Sequence, residues 1–388
     1  MNKNNALTIA EAWLETFNSA VASKKNIEPL FHENSFWRNA VGLGWNIDTI
    51  KGSKNIAKTL PELAKSAKIT QLRIDKKATS PRLVNRAGSY VIEAFFTFET
   101  SIAKCRGIVR LNCDELSPEK WRAWTFFTAA DALIGYEEKI GNNRPRGETY
   151  SRDFCGPNWL DKRVEASLYE DKDPDVVVVG GGQAGLSIAA RLVQLGVDTL
   201  IVEKNSRIGD NWRKRYHALT LHNQIHVNHL PYMPFPETWP TYIPKDMLAL
   251  WFEAYVSAME INFWTDSNVI GADYNTEDKR WLVQICQSNS KTRQLNPQHI
   301  VMATGVSGIP NKPKLAQLDS FKGQVMHSSQ YSDGEDWKGR SAIVVGCGNS
   351  GHDIAQDLYS SGANVTMTQR SPSLVVNIEP SAQFPYIL

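Results

Sequence analysis

The sequence predicts an α+β domain at the N-terminus followed by an α/β region. Three observations carry that prediction. In the first third of the chain, two runs with helical periodicity precede a succession of strands rich in β-branched and aromatic residues. In the middle, Asp175-Val-Val-Val-Val-Gly-Gly-Gly-Gln-Ala-Gly185 joins a short, wholly apolar run to a glycine-rich turn. Such a run is the pattern of a parallel strand buried on both faces. The same pattern returns at Ala342-Ile-Val-Val345, which turns through Gly346-x-Gly348-x-x-Gly351.

Composition narrows the class. At 388 residues the chain has room for two or three domains, and a net charge of +2 with 22% charged residues gives no reason to expect nucleic acid as a partner. Five cysteines (105, 113, 155, 286 and 347) lack paired spacing, which reads as reduced thiols and not as a disulfide frame or metal site. The N-terminus has no apolar signal core, and no apolar run approaches the ~20 residues that span a bilayer. A cytoplasmic protein without membrane contact is the expectation.

The elements follow in order. Residues 6–23 read as an amphipathic helix with Ala10, Trp13, Leu14, Phe17 and Val21 on one stripe. A loop from Asn34 to Ile47 leads to a second helix at about 53–67. Strands are expected at Ile69–Ile74, Ser89–Phe98, Cys105–Cys113 and Trp121–Thr128, with Tyr90, Ile92, Ala94, Phe96 and Phe98 sharing a face. Helices followed by a long antiparallel sheet outline an α+β cone over residues 1–137. Residues 138–174, broken by Pro145, Pro157 and Pro174, read as a linker that packs through Tyr150, Phe154 and Trp159.

Residues 175–315 form the first part of a dinucleotide-binding domain of the Rossmann type. Gly180 permits the tight turn, Gly182 lets a pyrophosphate approach the backbone, and Gly185 lets helix and strand pack closely. Gln183 and Ala184 open the helix, whose N-terminus offers unpaired N–H groups to phosphate. A second strand, Thr199–Val202, ends at Glu203-Lys204. Glu203 stands about 20 residues beyond Gly185, where a carboxylate accepts hydrogen bonds from a ribose diol. His222, His226 and His229 lack a carboxylate or cysteine at ligand spacing, so no metal is expected there.

Residues 316–388 carry a second, incomplete unit of the same type. Its loop is Gly346, Gly348, Asn349, Ser350 and Gly351. Its second strand, Val365–Thr368, leads to Arg370 and carries no acid. A guanidinium at that place suits a 2′-phosphate, whereas a 2′-hydroxyl wants a carboxylate. The first unit therefore suits FAD and the second NADPH.

Two families are resembled. The order of elements over about 5–135 is similar to the SnoaL-like, nuclear-transport-factor-2-like cone fold. Members of that fold can use an Asp/His pair in the cone; here His32 and Asp131 have no spacing that requires them to meet, and a dimerisation or covering role is the expectation. From residue 175 onward the chain resembles the class B flavin-dependent monooxygenases. The resemblance rests on Phe321-x-Gly323-x-x-x-His327-x-x-x-Tyr331 ahead of the second glycine loop, with Gly209-x-x-Trp212, Leu219-x-Leu221-His222 and Pro234-Phe-Pro236. The last three, with Gly346-Cys-Gly-Asn-Ser-Gly351, look most like the plant auxin-forming (YUCCA-type) branch of the flavin-containing monooxygenases.

That resemblance implies an FAD- and NADPH-dependent monooxygenase. It would insert one oxygen atom of O2 into a small organic substrate through a flavin hydroperoxide, delivering oxygen to a nitrogen or sulfur nucleophile or, as the peroxide anion, attacking a carbonyl carbon. Asn211, Trp212, His222 and Asn223 would line the flavin side, with His222 or Asn223 as the hydrogen-bond donor to the peroxide. His327 is a further candidate at the site, acting with Tyr331 as a hinge between nucleotide domains. In the family the chain returns to complete the FAD domain, whereas this sequence ends at Leu388, soon after Arg370. A C-terminally truncated monooxygenase is the expectation. The alternatives are an inactive flavoprotein serving as an interaction module and a flavin-dependent NAD(P)H reductase. A disulfide reductase would need a Cys-x-x-Cys or Cys-x-x-x-x-Cys that the sequence lacks.

Overall fold

The computed structural model describes residues 3–114, 117–145, 154–288 and 290–381. The chain divides into two compact units that part between Glu138 and Lys139. Among the described residues no helix is long and apolar enough to cross a membrane.

The first unit is α+β, as its sequence periods require. Helix α1 (Lys3–Ala22) buries Ala10, Trp13, Leu14 and Phe17. Strands β1 (Phe31–Ala40) and β2 (Ile47–Lys51) precede α2 (Ser53–Ala67), which buries Ile56, Leu60 and Ala64 at helical spacing. Strands β3 (Arg73–Ile74), β4 (Arg82–Arg86), β5 (Ser89–Glu99), β6 (Ala103–Asp114) and β7 (Ser117–Leu133) complete a seven-stranded sheet. Its order is β2-β1-β7-β6-β5-β3, with β4 on β5. Only β1 and β7 run parallel.

The helix-covered side of the sheet is filled by rings. Phe126 stacks on Phe96 with centroids 5.2 Å apart and 10° between planes, and it meets Phe17 at 5.6 Å and Trp13 and Phe31 at 5.9 Å. Such pairs add about 0.5–1.5 kcal/mol each beyond the area they bury. Gly107, opposite Phe96 in the sheet, makes this possible: a Cβ there would fall on the Phe96 ring and the Phe127 carbonyl.

Three expectations for this unit are corrected. The stretch from Asn34 is strand β1 as far as Ala40, and only residues 41–46 form a loop. Ser35 and Asn39 are buried polar residues on the inward face, which hid the alternation. Asn39 closes the loop: its Nδ2 donates to the carbonyls of Leu43 (3.1 Å) and Asn46 (3.2 Å), and its Oδ1 accepts from Leu43 N (2.9 Å) and Thr128 Oγ1 (3.0 Å). Tyr90 leaves the shared face and is 66% exposed, while Ile92, Ala94, Phe96 and Phe98 are buried. Of Ile69–Ile74 only the last two residues pair as a strand, and β4 was not foreseen. His32 bonds the Asn112 carbonyl (3.1 Å) and Asp131 pairs with Arg106 (3.2 Å), so the two make no contact with each other.

On the opposite face of the sheet, Glu93 is 3% exposed and takes Arg82, Arg86 and Arg110 at 3.2, 3.1 and 2.9 Å. Burial pushes its carboxyl up, but the three guanidiniums outweigh this and hold it below its ordinary value. A lowered folded pKa gives stability that is present above the ordinary carboxylate value and is lost as pH falls through the folded one. Glu93→Gln is therefore expected to cost about 1–2 kcal/mol at pH 7, from weaker hydrogen bonds. The deficit should shrink as pH falls through the folded value, which urea midpoints at neutral and acid pH will show.

The second unit is α/β with an antiparallel insertion. Helix α3 (Trp159–Leu168) lies in the expected linker, because Pro157 precedes the helix start and so does not interrupt it. Asn158 and Asp161 form a reciprocal cap at 3.0 and 2.9 Å. The expected packing of that segment is not found: Phe154 is 97% exposed, Trp159 is 51% exposed and bonds Glu260, and Tyr150 lies outside the described residues.

Strand β8 (Val176–Val179), helix α4 (Gln183–Gln194) and strand β9 (Thr199–Val202) form the first glycine-loop unit. Helices α5 (Asp210–Arg213) and α6 (Lys245–Ala258) follow. Strand β10 (Asn262–Trp264) and, later, β14 (His299–Met302) complete a parallel sheet of order β10-β9-β8-β14. Strands β11 (Ser267–Asn275), β12 (Arg280–Gln287) and β13 (Thr292–Leu295) form a separate antiparallel sheet. Strand β15 (Ser341–Val345), helix α7 (Asn349–Ser360) and strand β16 (Asn364–Thr368) are the second glycine-loop unit, with β15 and β16 parallel.

Candidate functional site

Both glycine loops adopt the conformation that their spacing requires. Gly180 has φ +110° and Gly346 has φ +109°, a left-handed backbone that favours glycine. At Gly185 and Gly351 an added Cβ would collide with the carbonyl oxygens of Gly180 and Gly346, so each helix can lie on its strand only if these residues lack a side chain. Gly182 and Gly348 stand at the N-caps of α4 and α7 in extended conformation, with no side-chain cap. The first N–H groups of both helices thus point out of the loops without side-chain acceptors.

Glu203 is 6% exposed and sits beneath the first loop. Its Oε2 accepts from Gly181 N (2.7 Å), and its Oε1 accepts from Asn205 N (2.8 Å) and Asn205 Nδ2 (2.6 Å). The carboxylate therefore braces the loop it was expected to serve. A carboxylate has about four lone-pair sites, so capacity for a further donor remains. Lys204 beside it is exposed.

Helix α5 flanks the same loop. Trp212 Nε1 donates to Gln183 Oε1 at 3.3 Å, and the Asn211 amide faces Gly182 closely enough that a Cβ there would meet its Nδ2 at 3.1 Å. Gln183 and Ala184 are exposed at the helix mouth. Asn211 and Trp212 thus lie against the first glycine loop.

His222 and Asn223 lie on a strap that runs from Arg215 and is stapled to α7. Asp353 Oδ2 accepts from Tyr216 Oη (2.5 Å) and pairs with His222 Nε2 (3.1 Å). Arg215 Nη2 donates to Ser350 Oγ at 3.4 Å, and His217 N donates to the Ser332 carbonyl at 2.7 Å. Burial, and then Asp353, push the Tyr216 hydroxyl well above its usual range. Tyr216 and Leu219 share a core cluster with Tyr331, Ile354 and Leu358. No signal in the sequence pointed to Asp353; it stands just beyond Gly351 of the second glycine motif, and only folding brings it to His222.

The remaining expected residues are local in their bonding. His327 caps its own turn, its Nδ1 accepting from Ser329 N at 3.1 Å. Tyr331 donates to Asp357 at 2.6 Å. Asn349 begins α7, and Arg370 is exposed just beyond β16 without an ion pair among the described residues. His229 accepts from Phe235 N at 3.0 Å, and among the described residues no His, Cys, Asp or Glu group is arranged to hold a metal. No disulfide joins the described cysteines.

A family model described as pyridine nucleotide-disulphide oxidoreductase matches residues 177–384. The chain belongs to this oxidoreductase family. Among its relatives, a probable indole-3-pyruvate monooxygenase of Arabidopsis thaliana (YUCCA10) is 35% identical over 208 residues, covering 53% of this chain and 54% of the relative. The indole-3-pyruvate monooxygenase YUCCA1 of Oryza sativa subsp. japonica is 34% identical over 226 residues, covering 58% and 54%. A flavin-containing monooxygenase structure from Stenotrophomonas maltophilia aligns with a TM-score of 0.47 at 27% identity, over 53% of this chain and 60% of that one. The chain spans about half the length of the curated relatives it matches.

Proposed function

We propose that the second unit binds FAD on its first glycine loop and NADPH on its second, and serves a monooxygenase reaction on a small organic molecule. The observation that carries this reading is the pair of loops with unlike ends, one braced by the buried carboxylate of Glu203 and the other followed by the exposed guanidinium of Arg370. The loops fit such groups: Gly182 and Gly348 keep the approach to the helix N-termini free of side chains, and helix N–H groups face it. When bound, FAD reduced by NADPH supplies the activation of dioxygen.

The chain's own groups would bind, orient and donate. Gly180 to Gly185 with Gln183 and Ala184 would hold the FAD pyrophosphate, Glu203 its ribose, and Asn211 and Trp212 its flavin side. Gly346 to Gly351, with Asn349 and Ser350, would hold the NADPH pyrophosphate. The strap bears on which residue donates a hydrogen bond near the flavin. A carboxylate at Asp353 requires the hydrogen of His222 to be on Nε2, so in the neutral ring Nδ1 is an acceptor. This supports the exposed amide of Asn223 as the donor and His222 as its support. His327 bonds within its own turn, which favours a hinge role over proton transfer. The position of the cysteines supports no dithiol relay, since none is spaced from another as such a pair requires.

Nucleotide choice is the direct test. A guanidinium–phosphate contact is worth ~1.5–3 kcal/mol. Arg370→Ala should weaken NADPH binding roughly 10- to 100-fold and leave NADH binding unchanged, by calorimetric titration. Equal weakening of both would show that Arg370 does not read the 2′-phosphate.

A further inference from the structure

We infer that Lys245 is a positioning residue of the first nucleotide site, holding helix α5 with its side chain and the strap ahead of His222 with its main chain. This rests on the reading of the first glycine loop as an FAD site. Lys245 is the first residue of α6 and is 6% exposed. Both facts are unfavourable for a lysine. A buried ammonium has lost its water, and the positive end of a helix dipole disfavours a cation. Asp246 offsets part of this, its carboxylate oxygens lying 2.9 and 3.0 Å from Nζ, but its own side chain is 60% exposed. An apolar side chain of similar volume often serves a protein interior as well as a buried ion pair. The ammonium therefore has a task that packing does not require.

That task lies at α5. The helix has four residues, too few to hold its shape unaided, and the carbonyls at a helix end need partners from outside. Its start is fixed by backbone contact: Gly209 has φ +89°, and a Cβ there would fall 2.5 Å from the Ala249 carbonyl oxygen on α6. Its end is fixed by Lys245 Nζ, which donates to the Arg213 carbonyl at 3.1 Å. Asn211 and Trp212, which lie against the first glycine loop, stand between these two anchors.

The same residue holds the strap. Its N–H donates to the Leu219 carbonyl at 3.1 Å, and the Ile243 carbonyl just before it accepts from Leu221 N at 2.9 Å. Thr220 and Pro244 form an antiparallel bridge between these bonds. His222 and Asn223 follow at once. One residue thus sets the α5 side of the site against the strap side.

Lys245→Met, made in the full chain, keeps the length and removes the donor. FAD is titrated into unaltered and variant protein and followed by quenching of its fluorescence. The ligand-free proteins are compared by the NMR resonances of the Trp212 indole and the His222 imidazole. The variant should bind FAD at least about 10-fold more weakly, with both resonances shifted before any ligand is added. Its urea midpoint should stay near that of the unaltered chain, whereas a role in stability alone would lower the midpoint and leave the resonances in place. Lys245→Arg, which restores a charged donor, should recover most of the affinity. Lys245→Gln, shorter and uncharged, is read in the same way should Lys245→Met unfold. Unshifted resonances in a folded variant, or shifted ones with unchanged FAD affinity, overturn the assignment. An unaltered chain that takes up no FAD refutes the first-loop reading instead, and the ligand-free resonances then decide whether Lys245 positions α5 and the strap.

Discussion

Gly185→Ala is expected to abolish the proposed first dinucleotide site and to destabilise the second unit by more than about 4 kcal/mol. The added methyl would overlap the Gly180 carbonyl oxygen, and Val178 crowds it from the strand side. The obstruction is backbone, so no rotamer change relieves it; α4 must lift from β8. Val176, Val178, Leu186, Ala189 and Ala190 then lose their shared packing. Purified variant protein should carry no flavin and unfold at a much lower urea concentration. A variant with unchanged urea midpoint would show that α4 does not lie on its strand as described.

Gly107→Ala should be as damaging to the first unit, again by more than about 4 kcal/mol, and for a different reason. Glycine inside a strand usually weakens it. Here its bare Cα lets the Phe96 ring lie on the neighbouring strand and stack on Phe126, around which four more aromatic contacts are arranged. A methyl displaces the ring or parts β6 from β7 at Phe127. The near-ultraviolet circular dichroism of the ring cluster should collapse with the urea midpoint. Retention of both would refute the packing.

What was legible in the sequence is what depends on local backbone. The two glycine loops, the strands feeding them and helix α2 follow from spacing within about 20 residues. Two of the misreadings share one cause, the use of polar residues on buried or regular positions. Asn39 and Ser35 disguised β1, and Glu93 is buried on the outer face of β5 because three arginines from β4 and β6 satisfy it. Asn158 and Asp161 look like loop residues and are a helix cap. At the candidate site, the loop from Gly180 to Gly185 and the carboxylate of Glu203 were legible from spacing, but the contact that bears on His222 and Asn223 was not. It turns on Asp353, which lies 131 residues beyond His222.

The strap has a consequence in thermodynamic linkage. Helix α7 begins at the mouth of the second glycine loop, and one turn later its Asp353 holds Tyr216 and His222. An anion that tightens the start of α7 therefore bears on the same carboxylate that positions the strap. Coupling free energies are reciprocal, so any preference of the strap for the occupied loop raises the loop's affinity by the same factor. The imidazole resonances of His222 would then report occupancy of the second loop, and Asp353→Asn would lower that loop's affinity without touching its glycines.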